Sequence, residues 1–223
     1  RAKKEGSFNC IMIPGSRTQA SLPYDDDWNK TYKFESKTRG VIMVGFKQVM
    51  AESLWAKPVQ VKMGTVDWYA GGKTDLLIRN CIRKQLDNAN YWLTIDYSKY
   101  DQSIPGWLIF EAFDVIEAMF DKTYHWDEEL WKIVKRDFVY KVFLDGNGNL
   151  IDAEDGVPSG SMFTQIMDTI VNVLMIRTYF ESKGIAKSEY SMIIMGDDNL
   201  MCTKFEVDDV DLGGYIKRNF GVK

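Results

Sequence analysis

The sequence predicts an α+β fold in which an antiparallel sheet is backed by helices. The first observation is Ser191-Met192-Ile193-Ile194-Met195, then Gly196-Asp197-Asp198, then Asn199-Leu200-Met201-Cys202-Thr203: a strand, an acidic turn and a second strand. The second is the stretch 161–182, which is apolar on several sides, as a buried helix is. The third is Trp107–Phe120, where Leu108, Phe110, Phe113, Ile116, Met119 and Phe120 recur near helical spacing. Over the last two-thirds of the chain the order is strand, helix, helix, hairpin, helix, hairpin, helix.

The remaining elements follow from local chemistry. Pro14-Gly15-Ser16, Asp25-Asp26-Asp27 and Gly71-Gly72 break the first ninety residues into short segments. Within them Thr38–Gly45 reads as a strand, Phe46–Trp55 as a helix ended by Pro58, and Asp75–Gln85 as a helix. Tyr91–Ile95 is a short β-type run ending at Asp96, and Trp126–Arg136 is helical. Phe138–Leu144 is the strongest strand, closed by the turn Asp145-Gly146-Asn147-Gly148. That turn mimics a calcium loop at Asp145, Asn147 and Asn149. Leu150 stands where such a loop needs Gly and Gly156 where it needs Glu, so it reads as a hairpin. Gly184 caps the long helix, and Val207–Phe220 is weakly amphipathic.

At 223 residues, 45% hydrophobic and 27% charged, the chain can bury a sizeable core. No stretch approaches the roughly 18 uncharged apolar residues of a spanning helix. Arg1-Ala2-Lys3-Lys4-Glu5 has neither an initiating Met nor an apolar signal core, which is the pattern of a fragment. Cys10, Cys81 and Cys202 lack metal or disulfide spacing and fit a reducing compartment. His125 has no Cys or His near it and reads as structural. The net charge of −4 hides an asymmetry. Residues 1–90 carry 15 Lys and Arg against 9 Asp and Glu, while the remainder carries 13 against 23. A basic part beside an acidic part suits a phosphate-holding surface next to a metal-holding one.

Adjacent Asp197 and Asp198 resist joint ionisation unless a cation neutralises them, and hard divalent ions take carboxylate oxygens. Asp96-Tyr97-Ser98-Lys99-Tyr100-Asp101 forms a second acidic site behind a strand. With that strand beside the acidic hairpin, Asp96 and Asp197 converge, and three carboxylates can bridge two metals about 4 Å apart. Between them, Ser159-Gly160-Ser161-Met162-Phe163-Thr164 opens a helix. Its glycine permits close backbone approach, and its helix N-terminus favours anions.

Asp96-x4-Asp101, Ser159-Gly160-x3-Thr164 and Gly196-Asp197-Asp198, in that order, resemble the three palm motifs of viral RNA-dependent RNA polymerases. Gly156-Val157-Pro158-Ser159-Gly160-Ser161-x-Phe163-Thr164 resembles the double-stranded RNA partitivirus and picobirnavirus group in particular. The likeness covers roughly residues 90–205, and Lys37-Thr38-Arg39 resembles the basic fingers motif that grips triphosphate. The resemblance implies a palm of RRM-like topology over 91–223, an irregular fingers portion over 1–90, and a thumb outside this sequence. It also implies template-directed RNA synthesis in viral genome replication, with nucleotidyl transfer from NTPs to an RNA 3′-hydroxyl. The implied cofactor is Mg2+, two ions, with Mn2+ as a substitute. The implied partners are RNA template and product, NTPs and viral capsid protein, within a particle in the host cytoplasm and without a membrane segment.

Residue by residue, the resemblance makes Asp96 and Asp197 the chief metal ligands and Asp198 a supporting carboxylate in the same catalytic group. Asp101 would recognise the ribose 2′-hydroxyl. Ser159, Gly160 and Thr164 would shape the loop that holds template and nucleotide. Arg39, with Lys37, would neutralise the departing pyrophosphate. Asp168 stands where many positive-strand relatives carry Asn as the partner of Asp101; it is expected to accept a hydrogen bond but not donate one, with Asn172 as its substitute. Lys217 and Lys223 are the candidates for a general acid. Two alternatives stay open: a reverse transcriptase, disfavoured by Met195-Gly196 before the Asp pair, and a non-catalytic RNA-binding module, disfavoured by the lack of an aromatic stacking run.

Overall fold

The computed structural model describes residues 7–8, 11–21, 35–122 and 126–222. The Asp25–Asp27 turn, Cys10, His125 and Lys223 lie outside the described residues. Two sheets organise the rest. In the first, β1 (Ile11–Ser21) pairs antiparallel with β2 (Glu35–Met43) and parallel with β4 (Lys141–Leu144), which forms a hairpin with β5 (Leu150–Ala153). The order is β2-β1-β4-β5. The second sheet has the order β3-β7-β6, from β3 (Tyr91–Leu93), β6 (Tyr190–Met195) and β7 (Asp198–Thr203), all antiparallel. A bridge from Tyr69 to Ile194 extends its β6 edge.

Among the described residues seven helices pack around these sheets: α1 (Phe46–Met63), α2 (Asp75–Leu86), α3 (Tyr100–Ser103), α4 (Gly106–Glu117), α5 (Glu128–Val139), α6 (Thr164–Ser182) and α7 (Asp209–Phe220). Four sequence expectations need correction. Pro14-Gly15-Ser16 is not a turn but part of β1, because continuous pairing with β2 from Ile13 to Ser21 outweighs local turn preference. Pro58 does not end α1. Proline removes one N–H bond, and burial of Val59 and Met63 beyond it carries the helix on. Phe138 and Val139 belong to α5, since Trp131, Val134 and Phe138 share its buried face, and the strand starts only at Lys141. The long helix starts at Thr164 rather than Ser161. The 145–149 turn is the expected hairpin, closed by Asp145 Oδ1, which accepts from the Asn147 and Asn149 amides at 2.8 and 2.7 Å.

The core lies among the helices and against β6 and β7 of the second sheet. Trp55, Phe113, Trp131, Phe138 and Phe163 meet edge to face or tilted, with centroids 5.1 Å apart for Trp55–Trp131 and 5.3 Å for Phe113–Phe163. Such pairs stabilise beyond the area they bury. This cluster ties α1, α4 and α5 to the residue that precedes α6. The stretches on either side of residue 90 therefore share a core, and β4 from the second pairs onto β1 of the first. Among the described residues no helix is long and apolar enough to cross a membrane.

Phe163 is fully buried at the point where the core meets the 159–164 loop. Phe163→Ala is expected to lower unfolding free energy by about 3–5 kcal/mol, read as a fall in the urea midpoint at constant slope. A loss below about 1 kcal/mol would mean that the loop does not depend on the core.

Candidate active site

The site is built where β3 and β7 run out. Their pairing ends with Leu93 opposite Met201. Asn199 then continues it with a side chain: its Oδ1 accepts from the Ile95 amide at 2.9 Å, and its Nδ2 donates to the Ile95 and Asp197 carbonyls at 3.1 Å each. Asp96 follows Ile95 directly, so one buried amide sets it beside the acidic turn. Asp96, Asp197 and Asp198 are all exposed at that end of the sheet.

Gly196 and Asp197 form the two-residue loop between Met195 and Asp198. Gly196 has φ +66°, and Lys99 is the sole non-glycine with positive φ among the described residues. Positive φ at the first loop residue alone is the II′ pattern, which places glycine there. The turn hangs on α6. Thr169 Oγ1 accepts from the Gly196 amide at 2.8 Å, and Asn172 Nδ2 donates to the Gly196 and Asp197 carbonyls at 3.0 and 3.1 Å. Asn172 Oδ1 accepts from the Tyr97 hydroxyl at 3.0 Å, and the residue is fully buried. This corrects the expected role of Asn172. Its polar atoms all bind protein, so it holds the acidic turn instead of facing a nucleotide.

Asp101, half-buried in α3, is tied to the middle motif through the main chain. Its carbonyl accepts from the Val157 amide at 2.7 Å, and the Ile104 carbonyl accepts from Gly156 at 2.7 Å. Gly156 has φ +82°, and a Cβ there would lie 3.0 Å from the Asp101 carbonyl, so glycine is required twice over. Buried Lys141 donates to the carbonyls of Phe138, Val139 and Gly156 at 3.2, 3.0 and 2.8 Å. Burial pushes its ammonium down to about 8, against the pull of Asp155. Lys99, just before Asp101, adopts the left-handed conformation (φ 53°, ψ 48°), an uncommon state for a residue with a Cβ.

The loop before α6 is held on several sides. Ser159 Oγ accepts from the Ile42 amide of β2 at 2.7 Å, and Gly160 lies so close to the Ile42 carbonyl that a Cβ would clash with it. Thr164 Oγ1 shares its proton between the Pro158 and Ser161 carbonyls at 2.8 and 2.9 Å. The expectation that this helix start offers free amides to an anion is corrected. Glu52 of α1 accepts from the Met162 amide at 2.9 Å and the Ser161 hydroxyl at 2.7 Å, and Ser161 Oγ accepts from the Phe163 amide at 3.0 Å. A buried carboxylate from another helix already occupies that place.

Charge completes the arrangement. Burial raises the pKa of Asp198, and the charges of Asp197 and Asp96 raise it further while Arg39 opposes. Asp101 is raised by burial and then by Asp197, again against Arg39. Arg39 therefore lies within electrostatic reach of both acids, on exposed β2, directly across the hairpin from exposed Arg17. The backbone of Lys37 sits two positions earlier, opposite Gln19. Asp168, in α6, is 5% exposed with Oδ1 unpartnered; burial, then Asp101 and Asp197, hold its pKa well above the carboxylate range. Lys217 lies on the exposed face of α7.

Among the described residues no three His, Cys, Asp or Glu side chains stand in a ready ligating group. The donor set at the sheet end nonetheless suits a hard divalent cation: exposed carboxylate oxygens only, with the charges of Asp197 and Asp96 acting on Asp198. Glu52, Lys141, Thr169, Asn199 and Arg17 carry no sequence motif, and pairing in space alone brings them into the site.

Known proteins resemble this chain in sequence and in fold. The family model for viral RNA-dependent RNA polymerase matches residues 35–220, and the chain belongs to that family. Its sequence is 32% identical over 112 residues to the RNA-directed RNA polymerase of Cryptosporidium parvum virus 1, covering 48% of this chain and 20% of the relative. It is 28% identical over 133 residues to the genome polyprotein of human rhinovirus 3, covering 58% of this chain and 6% of the relative. The RNA-dependent RNA polymerase of a human picobirnavirus, in its insertion-loop deletion form, superposes with a TM-score of 0.76 at 17% identity, over 96% of this chain and 40% of that one. Sicinivirus 3Dpol gives 0.75 at 14%, over 96% and 44%. The fold is the viral polymerase palm fold, and the chain spans well under half the length of these relatives.

Gly160→Ala is expected to lower the melting temperature by several degrees, because the loop must leave β2. Gly40→Ala, on the same strand with nothing within 4 Å of a Cβ, is expected to leave it nearly unchanged. Equal melting temperatures for the two variants would remove the close approach from the account.

Proposed function

We propose that this chain is the catalytic core of a template-directed RNA polymerase that transfers nucleotidyl groups from NTPs to an RNA 3′-hydroxyl. The observation that carries the reading is the opposition of charge at one place. Asp96, Asp197 and Asp198 gather at a sheet end, and Arg39 of the other sheet lies within reach of Asp198 and Asp101. Acids alone would repel RNA; acids facing a cation suit phosphate chemistry once a metal joins them. In this reading Asp96, Asp197 and Asp198 hold two Mg2+ ions, with Mn2+ as a substitute. When bound, such ions neutralise the attacking and leaving oxygens of an in-line displacement.

The chain's own groups do the rest. The 3′-hydroxyl gives up its proton to solvent as its oxygen bonds to the α-phosphorus of the incoming NTP, and the bond to pyrophosphate breaks with its electron pair leaving on the pyrophosphate. Arg39, with Lys37, balances the charge that the pyrophosphate carries away. Ser159, Gly160 and Thr164 shape the loop against which template and nucleotide lie. Asp101 accepts from the ribose 2′-hydroxyl, and in this proposal Asp168, taken as protonated, supplies the donor that Asn supplies in many relatives. Residues 1–90, together with β4 and β5, make the fingers portion, and the second sheet with α4, α6 and α7 makes the palm. The resemblance to double-stranded RNA virus polymerases extends the proposal to work inside a viral particle, beside capsid protein, in the host cytoplasm.

In the intact reading frame that encodes this chain, Asp197→Ala is expected to cut Mg2+-dependent NTP incorporation by about a thousandfold or more, with an unchanged circular dichroism spectrum. Chelation should abolish wild-type incorporation, and Mg2+ or Mn2+ should restore it. A variant that extends RNA at near wild-type rate would defeat the assignment.

Sugar choice is tested by incorporation of NTP against dNTP. Asp101→Ala is expected to reduce the preference about tenfold. Asp168→Asn, which keeps a neutral donor, should hold it within about threefold. A large loss in Asp168→Asn would mean that the carboxyl acts ionised.

A further inference from the structure

Glu52 lies far from the acidic motifs in sequence, near the middle of α1, and is fully buried. Its partners are three neutral donors: Gln48 Nε2 at 2.9 Å on Oε1, and the Ser161 hydroxyl and Met162 amide at 2.7 and 2.9 Å on Oε2. An amide nitrogen can only donate, and the Ser161 oxygen already accepts from Phe163. Oε2 thus takes two donors at once, and an ionised carboxylate strengthens all three bonds by its charge. Glutamine has the same shape but would leave those bonds neutral, with its amide facing Gln48, whose Oε1 is buried without a partner. Burial raises the Glu52 pKa, and the bonds from Ser161, Met162 and Gln48 work against that rise. The α6 N-terminus adds a favourable dipole beside the charge.

The loop that Glu52 grips also touches the strand that carries Arg39. Ile42, three residues after Arg39, binds Ser159 and abuts Gly160. Gln60, two turns further along α1, donates to the Met162 carbonyl at 3.4 Å. Four residues into α6 stands Asp168. The position of residues 159–162 thus sets the separation between the strand facing the triphosphate and the helix facing the sugar.

We propose that Glu52 is a positioning residue for nucleotide binding, acting through Ser161 and Met162 to hold the 159–162 loop between β2 and α6. The inference deepens the polymerase reading and rests on it. A loop displaced by a fraction of an ångström weakens nucleotide placement while leaving the carboxylates at the sheet end in place.

The test uses the intact reading frame with Glu52→Gln, Ser161→Ala and the double variant, assayed for steady-state NTP incorporation and for amide hydrogen exchange at Met162 and Phe163. Glu52→Gln is expected to raise the KM for NTP about tenfold with kcat within about twofold, and to speed exchange at Met162. A merely structural role would lower kcat through a smaller active fraction at unchanged KM. Ser161→Ala should raise KM about threefold, and the double variant should be no worse than Glu52→Gln, because the two residues share one contact. An unchanged KM in Glu52→Gln, or effects that multiply in the double variant, would overturn the proposal. Should Glu52→Gln fail to fold, Ser161→Ala decides: a wild-type KM overturns the proposal, and the threefold rise supports it. A wild-type chain that incorporates no NTP instead refutes the polymerase reading, and exchange at Met162 still reports on the grip itself.

Discussion

Two side chains on successive turns of α6, Thr169 and Asn172, hold the peptide groups of the acidic turn. Asn199 does the same for the peptide leading into Asp96. The constraint they meet is mutual repulsion among carboxylates that have to stand together. A pair of unit charges at contact distance near a protein surface interacts by about 1–4 kcal/mol. A single neutral hydrogen bond contributes about 1 kcal/mol net. Several such bonds, all made to backbone, are needed to keep the acids in place without neutralising them. Neutral amides and a hydroxyl suit this task, because a lysine there would take the place of a metal.

The same helix links this turn to the rest of the molecule. The loop just before it is held from α1 by Glu52, its body lies in the core, and Asp168 lies within electrostatic reach of Asp101. β2 reaches the loop before it through Ile42. Displacement of the first sheet therefore has a short path to the loop before α6, made of hydrogen bonds rather than apolar contact. Apolar packing tolerates small sliding; directed bonds to Ser159, Ser161 and Met162 do not. The aromatic cluster around Trp131 and Phe163 supplies the rigid base on which those bonds act.

Much of the candidate site was legible because its chemistry is carried by short motifs. Asp96 and Asp101, Ser159 to Thr164, and Gly196 to Asp198 each combine a functional side chain with a local backbone requirement, such as the positive φ at Gly196. The acidic hairpin and the buried long helix followed from periodicity. Other residues were misjudged for a shared reason. Asn172 looked like a nucleotide partner by its place one turn after Asp168, but Tyr97 and the acidic turn take all its polar atoms. Pro58 and Phe138 were judged on local preference, which burial against Trp131 and its neighbours overrode.

By itself the sequence determined which side chains carry charge, where turns need glycine, and which face of each helix is apolar. Those properties belong to single residues and short windows. Tertiary structure decided the rest: that Asp168 is buried beside other acids with its pKa raised, that Glu52 holds the loop before α6, and that Asn199 reaches Ile95 across 104 positions. Each of these depends on burial and on a partner far away in the chain. A carboxyl's protonation state follows from the water and charges around it, and an amide's role from what it touches. Neither is a property of the residue until the fold has brought its neighbours together.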